Sequence, residues 1–152
     1  MTNSIINTEN LNEARKLIEK ANKEDKRVII TGKSIDFNRI ILENKRVNML
    51  ILSHENKKDK LKQRDSGLNH ILCKLAKQNN IILAFDINEL KKHQDKKTNA
   101  LILARMLQNI KLIKKARNKF KLLNYNDKHQ AFSFLLTLGL PTNMAKIVVE
   151  TD

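Results

Sequence analysis

The chain has 152 residues, 41% of them apolar, so its length and composition fit one domain with one hydrophobic core. Only three Gly and one Pro interrupt it, which disfavours an all-β fold, and the lack of a signal peptide or an apolar run of about 20 residues argues against a membrane partner. Thirty Lys and Arg against sixteen Asp and Glu give a net charge of +14, which indicates a polyanionic partner, most commonly nucleic acid, unless lysine is only the solvated surface residue.

Helical and strand-like segments alternate along the chain. Apolar residues at spacings of three and four predict a first helix over 11–21, capped by Thr8, and a second helix capped by Ser34. Short β-branched or apolar runs predict buried strands over 27–32, 47–52, 80–85 and 120–124. The remaining helices are predicted after Ser66 and over 97–117, 128–138 and 142–150, with a lysine-rich loop over 54–64.

This alternation predicts an α/β fold whose strands form a parallel sheet with right-handed crossovers. Four strands are too few to close an eight-stranded barrel, so we expect one domain over 1–152 that is an open sheet, a partial barrel, or a barrel completed by another chain. Functional groups of such sheets lie on the loops that follow the strands. In this chain those loops are 31–34, 53–64, 86–88 and 124–127.

The longest helix carries an apolar arc and a polar pair beside it. Arg105 and Asn109 are four residues apart and form either a solvated helix edge or a site at which Arg105 grips a phosphate. The arc itself predicts a core of Ile102, Leu103, Met106, Leu107, Ile110 and Ile113.

The only cysteine, Cys73, lies between Leu72 and Leu75 in a helical pattern. A single cysteine cannot form an intramolecular disulfide, which fits a reducing cytoplasm. We expect a packed thiol rather than a nucleophile activated by His70.

The segment Arg64-Asp-Ser-Gly-Leu-Asn-His70 is the most informative in the chain. It predicts the start of a helix, at which Ser66 is the cap and Gly67 leaves room for another backbone or a phosphate. Asn69 and His70 would lie on the first turn, within reach of the loop or a ligand. The alternative is a capped helix whose polar residues only brace the preceding loop.

A metal-dependent hydrolase is an alternative interpretation. His54, Glu55, Asp86 and Asp127 all follow predicted strands and could together hold a cation that activates water for phosphodiester cleavage. Carboxylates after strands also cap helices, however, and no H-x-H or H-E-x-x-H pair fixes two ligands together. The phenylalanines fall in apolar patterns, so backbone and shape contacts, rather than base stacking, would dominate any RNA binding.

Several segments, in this order, resemble the ribonuclease P protein component 3 family of archaea and eukaryotes. The most specific block is Arg64-Asp-Ser-Gly-Leu-Asn-His70 within 64–79, together with Asn38-Arg39 upstream. The other matching segments are 28–32, Glu43, 47–52, 81–85, 104–109 with Lys114-Lys115, Leu138-Gly-Leu140 and Ala145.

This resemblance implies a shortened TIM-barrel-like subunit of ribonuclease P, a cytoplasmic ribonucleoprotein in which a catalytic RNA and its Mg²⁺ ions remove 5′ leaders from precursor tRNA. Ribonuclease P RNA, precursor tRNA, protein component 2 and other protein subunits are the implied partners. It implies no catalytic residue and no bound metal or cofactor in the chain itself. The residues implied to contact RNA or partners are Asn38, Arg39, Arg64, Asp65, Ser66, Asn69, His70, Arg105, Asn109 and Lys115.

The sequence departs from the family pattern in two places. Family members begin with a strand-rich segment, whereas only one helix is predicted here before residue 27, so the barrel should be incomplete. After the last strand the family carries a small-residue loop and an Arg-x-Pro element, and here the segment Asn124-Tyr-Asn-Asp-Lys-His129 stands in that place. Because an open sheet exposes strand edges, we expect self-association or tight pairing with another subunit. A protein-interaction module whose charge only keeps it in solution is the third functional class.

Overall fold

A computed structural model describes residues 1–55, 57–92 and 95–151 of the chain. Its described part forms one five-stranded, all-parallel sheet with seven helices. The strands are β1 (Asn3–Ile6), β2 (Arg27–Thr31), β3 (Met49–Ile51), β4 (Ile82–Asp86) and β5 (Phe120–Leu123). The helices are α1 (Leu11–Lys23), α2 (Ile35–Leu42), α3 (His70–Gln78), α4 (Asn88–Lys92), α5 (Lys96–Ala116), α6 (Lys128–Thr137) and α7 (Thr142–Glu150).

The strands lie in the sheet in the order in which they occur in the chain, β1-β2-β3-β4-β5, and every pair is parallel. Each strand is therefore joined to its neighbour by a crossover, and the predicted α/β architecture is confirmed. Within the described residues β1 and β5 are the two edges of the sheet, which is an open arrangement compatible with a partial barrel.

The prediction of four strands and of a single helix before residue 27 was wrong, because β1 precedes α1 and pairs with β2. Strand β1 has only four residues, and Ile6 is the only one that is buried. A segment so short, half polar and mostly exposed carries no periodicity that distinguishes it from a loop. The short helix α4 was missed for the same reason.

Side-chain caps fix the starts of the helices. Ser34 caps α2 by accepting the N–H of Phe37 at 3.1 Å, as predicted. Two predicted caps were wrong: Asn10 caps α1 in place of Thr8, and Asn69 caps α3 in place of Ser66. In both cases an asparagine two or three residues further along accepts the first free N–H groups.

The two faces of the sheet have different environments. One face carries Val28, Leu50 and Leu83, which are fully buried in the large core shared with the helices. The other face carries Ile29, Met49 and Ala84, which form a smaller cluster containing strand residues alone. Paired strand residues keep this alternation because Ile29 lies beside Met49 and Met49 beside Ile82.

The core of α5 agrees with the sequence except at one position. Ile102, Met106, Ile110 and Ile113 are buried and Leu103 is half-buried, but Leu107 is 40% exposed. The predicted arc was therefore too wide on that side.

Cys73 has the predicted character of a packed thiol. It is fully buried on α3, and burial raises its pKa to about 12. At neutral pH the thiol keeps its proton, so it is a poor nucleophile.

No helix in the described residues is both long and apolar enough to cross a bilayer.

Candidate nucleic-acid interface

The longest connection in the described chain joins β3 to α3 and lies at the carboxyl end of the parallel strands. We call residues 52–69 the basic loop, since its exposed side chains include Lys58, Lys60, Lys62 and Arg64. Lys60 and Gln63 exchange backbone hydrogen bonds of 2.8 and 3.2 Å, which closes a tight turn with Lys62 at its tip. The loop therefore presents a local concentration of positive charge to solvent.

Arg105 of α5 is hydrogen-bonded to the first half of the basic loop. Its guanidinium is nearly buried and donates from Nη1 to the carbonyl of His54 at 3.1 Å and from Nη2 to the carbonyl of Lys57 at 3.1 Å. Nη2 also lies 3.2 Å from the Asp59 carboxylate, whose pKa is lowered first by the N–H of Asp65 and also by Arg105. Both predictions for Arg105 were therefore wrong: it does not lie on a solvated helix edge, and both of its terminal nitrogens are bonded within the chain rather than free to bind a phosphate.

His54 and Asn109 form the second anchor of the loop. The imidazole is fully buried, with Nδ1 2.8 Å from Glu89 Oε2 and Nε2 3.0 Å from Asn109 Nδ2. The same Asn109 nitrogen donates to the carbonyl of Ser66 at 3.0 Å, so an amide N–H faces the ring and Nε2 is the acceptor. The ring proton consequently lies on Nδ1, where it is donated to Glu89.

The end of the basic loop is held at Gly67. The Asn38 side chain donates to the carbonyl of Gly67 at 2.9 Å and accepts the N–H of Lys33 at 2.8 Å. Gly67 has a φ of +76°, and a Cβ there would lie 3.2 Å from the ammonium of Lys57 and 3.4 Å from the Asn38 amide. The space that was predicted to admit another backbone or a phosphate is thus used by side chains of the same chain.

Two further residues, Gln108 and Lys57, contact the basic loop or its neighbours, and no pattern in the sequence indicates this. Gln108 donates to the carbonyl of Arg64 at 3.2 Å and to the hydroxyl of Ser66 at 3.3 Å, although helical periodicity predicts that it faces away from the core. Lys57 turns inward to the carbonyl of Lys33, and burial lowers its pKa, while Asp65 partly offsets that effect. Contacts between residues more than 20 positions apart leave no local pattern, so sequence periodicity could not reveal them.

The residues implied by the family resemblance fall into groups with different surroundings. Asn38, Ser66, Arg105 and Asn109 are buried and bonded within the chain. Asp65 and Asn69 are half-buried; Asp65 accepts the N–H of Gly67 in the loop, and Asn69 accepts the N–H of Leu72 in α3. Exposed positions are occupied by Arg39, which pairs with Glu43 at 3.3 Å, and by Arg64, His70 and Lys115.

The structure brings most of this set together around the basic loop, but not Lys115. Lys115 lies ten residues beyond Arg105 on α5, a rise of about 15 Å along the helix axis. It belongs to the opposite end of the sheet, near the start of β5.

The four candidate metal ligands have other partners. His54 uses both ring nitrogens within the chain, and the Glu55 carboxylate lies 3.5 Å from the ammonium of Lys92. Asp86 accepts from the N–H of Asn88 and the amide of Asn124, and Asp127 caps α6. No group of three His, Cys, Asp or Glu residues in the described part of the chain is placed to hold a metal ion.

The chain thus has the architecture of an open, all-parallel α/β protein whose longest loop is basic and held by buried polar side chains. Its fold is similar to that of a chain in a cryo-EM structure of archaeal ribonuclease P with mature tRNA, with a TM-score of 0.76 and 24% identity. That similarity covers 97% of this chain and 63% of the other, so this chain spans less than two thirds of its relative's length.

A crystal structure of an uncharacterized protein is a more distant match, with a TM-score of 0.55, 9% identity, and coverage of 92% of this chain and 37% of the other. No protein-family model and no curated protein matches the sequence. At these identities the likeness establishes the fold, and this fold is one that occurs in archaeal ribonuclease P.

Proposed function

We propose that the chain is a protein subunit of ribonuclease P that supports the RNA-catalysed removal of 5′ leaders from precursor tRNA. The observation that carries this proposal is the fold shared, over 97% of the chain, with a chain of archaeal ribonuclease P bound to tRNA. The net charge of +14 and the concentration of cations on one loop support it, because protein affinity for RNA depends on neutralising phosphates.

In this proposal the outer side of the basic loop binds RNA and its inner side holds the loop in shape. Arg64 is exposed on the basic loop, His70 is exposed at the first residue of α3, and Arg39 is exposed on α2. The buried set around Arg105 and Asn109 hydrogen-bonds the backbone of the basic loop and so holds its lysines and Arg64 in position. Phe85 and Phe120 pack edge to face on each other with ring centroids 4.8 Å apart, so they offer no platform for a base. Phosphate and shape contacts are therefore the expected mode of recognition.

The chemistry is assigned to the catalytic RNA and its Mg²⁺ ions rather than to this chain. The chain would act in the cytoplasm by assembling with that RNA, precursor tRNA, protein component 2 and the other protein subunits. A reconstituted particle should cleave precursor tRNA more slowly, or require more magnesium, when this chain is omitted. If omission changes neither the rate nor the magnesium requirement, the proposal fails. Cleavage by the purified chain alone would instead support the metal-dependent phosphoesterase.

The basic loop provides the sharper test. A variant carrying Lys58→Gln, Lys60→Gln, Lys62→Gln and Arg64→Gln should bind ribonuclease P RNA more weakly, and the slope of log affinity against log salt should fall by about 0.7 to 0.9 for each phosphate that is no longer neutralised. The matched control removes four exposed cations of α1 through Arg15→Gln, Lys16→Gln, Lys20→Gln and Lys23→Gln. Equal effects of the two variants would show that net charge, not this loop, determines binding.

We also propose that the open sheet is covered by self-association or by another subunit. Ile5 is 69% exposed on edge strand β1, and β1 offers unpaired backbone groups along its free side. Sedimentation velocity at micromolar concentration should show a dimer or larger species of the isolated chain. A stable monomer that also remains alone when the other subunits are added would contradict this.

A further inference from the structure

A groove of about 680 Å³ lies at the opposite end of the sheet from the basic loop, between α7 and the connection from α5 to β5. Its lining includes the apolar side chains of Phe120, Met144, Ile147 and Val148. Ile147 is 61% exposed, a large exposure for an isoleucine on a helix that otherwise packs against the core. The groove is thus an apolar surface for which the described chain provides no cover.

Positive charge surrounds this apolar lining. Lys114, Arg117 and Lys119 line one side, and no Asp or Glu is among the described residues that line the groove. Arg117 ends α5 in the left-handed conformation, with φ of 56°, and Lys119 follows two residues later. The groove therefore combines an aliphatic surface with a one-sided row of cations.

The start of α7 adds to this polarity. The first N–H groups of an α-helix have no intrahelical acceptor, and Pro141 at the N-cap of α7 provides no side-chain acceptor for them. These groups carry partial positive charge and are good donors to a carboxylate. Pro141 and Asn143 both line the groove, so this helix end lies beside the apolar lining.

We infer that this groove is a docking site for an acidic protein segment that carries aliphatic side chains. The aliphatic groups would be buried against Ile147 and Met144, and the carboxylates would meet Lys114, Arg117 and the start of α7. This assignment is based on charge complementarity and on the apolar lining, and it is independent of the proposed role in ribonuclease P. If either the docking site or the ribonuclease P role is disproved, the other still stands.

The chemistry of the lining favours a protein over RNA. Phe120 is the only aromatic residue in the described lining, and it is 7% exposed because its ring packs against Phe85. A nucleobase would therefore find no ring face on which to stack. An RNA backbone would satisfy the cations but leave the aliphatic surface in water, whereas an acidic amphipathic segment satisfies both.

The test measures binding of fluorescein-labelled twelve-residue peptides to the full chain by fluorescence anisotropy. Each peptide of the panel has one leucine spacing and Glu at all other positions. The spacings are three, four or seven residues, as on one face of a helix, or every second residue, as on one face of a strand. Matched peptides replace Leu with Ser or Glu with Gln. We expect at least one Leu/Glu peptide to bind with a Kd below about 100 µM, and both matched peptides to bind at least tenfold more weakly.

Variants of the chain locate the binding. Ile147→Ser should raise the Kd of the bound peptide about tenfold, whereas Ile71→Ser, which changes an isoleucine 51% exposed on α3, should change it less than twofold. Lys114→Gln with Arg117→Gln should weaken binding and reduce its salt dependence.

Three outcomes would overturn the inference: no peptide of the panel binds below about 1 mM, binding is unchanged by Ile147→Ser, or a ten-nucleotide single-stranded RNA binds with the same dependence on Ile147. The last outcome would make the groove a nucleic-acid site. Cleavage of precursor tRNA by the reconstituted particle, measured with the four-residue basic-loop variant, tests the proposed function separately.

Discussion

The two ends of the sheet are built on different physical principles. At the carboxyl end of the strands, buried polar side chains from α2 and α5 and a half-buried one from α4 hold the basic loop through specific hydrogen bonds. At the other end, the groove beside α7 is lined by aliphatic side chains and bordered by exposed cations. Buried polar groups are costly when they lose a partner, whereas an exposed apolar surface costs little to change until something binds it. The loop end should therefore tolerate substitution far less than the groove end.

The largest expected effect is that of Arg105→Met. This change leaves the carbonyls of His54 and Lys57 without a charged donor and removes the partner of Asp59. We expect the free energy of unfolding, measured by urea denaturation, to fall by about 3 kcal/mol. Trypsin should also cleave the basic loop faster, at Lys58 to Arg64.

Arg15→Met on α1 is the control, since Arg15 is exposed. It should change stability by less than about 0.5 kcal/mol. Equal effects of the two substitutions would mean that Arg105 contributes only its positive charge and that the loop end is not specially constrained.

The next largest effect is the difference between two Gly→Ala substitutions, one at each end of the sheet, at glycines with positive φ. Gly139 has a φ of +97° and open space where a Cβ would lie, so Gly139→Ala should cost about 1 kcal/mol from backbone strain alone. Gly67→Ala adds a close contact with Lys57 and the Asn38 amide to similar strain, and it should cost about 2 kcal/mol. Urea denaturation of both variants measures the difference. A larger cost at Gly139 would show that the loop end has room to relax.

The lowered pKa of Lys57 should change the free energy of unfolding with pH by a smaller amount, in a direction that can be predicted. Because burial lowers this pKa below its ordinary value of 10.5, the folded chain releases the Lys57 proton at a pH where the unfolded chain still holds it. The free energy of unfolding of the native chain should therefore rise relative to that of Lys57→Met as pH approaches 10.5. Urea denaturation of both chains between about pH 8 and 10 checks this. If the difference between their free energies of unfolding stays constant or shrinks with pH, the Lys57 ammonium is fully solvated.

The smallest effect is expected at the groove. Ile147→Ser replaces a side chain that is 61% exposed, so the stability of the isolated chain should change by less than about 0.5 kcal/mol. A thermal unfolding scan is sufficient to measure this. A loss above about 2 kcal/mol would indicate that Ile147 belongs to the core and that the two ends are equally constrained.

Sequence periodicity predicted the elements with strong repeats and missed those without. Strands β2 to β5, the six helices other than α4 and the buried thiol of Cys73 follow from apolar spacing and were confirmed. Strand β1 and helix α4 have four and five residues, too few to display a period. The caps of α1 and α3 were assigned to Thr8 and Ser66 instead of Asn10 and Asn69, because serine and threonine are also favoured at the N-cap and lie nearby.

The internal organisation of the candidate site was not predictable in the same way. Arg105 and Asn109 lie beside the apolar arc of α5, which by itself indicates an exposed edge. They are buried because a loop 46 to 55 residues earlier in the chain returns over them. The family resemblance implied RNA or partner contacts for both residues, and that role stays a prediction; the hydrogen bonds seen in the structure are to the basic loop of the same chain.

The sequential strand order has a consequence for synthesis of the chain. Each strand pairs with the one before it, so each βα unit can dock as soon as it leaves the ribosome. The basic loop is different, because its anchors on α5 emerge about 50 residues later. At translation rates of about 5 to 20 residues per second, the nascent loop is without Arg105 and Asn109 for about 2.5 to 10 s. During that interval its lysines are a mobile cationic segment, and an RNA that binds then would meet the loop before its final shape is set.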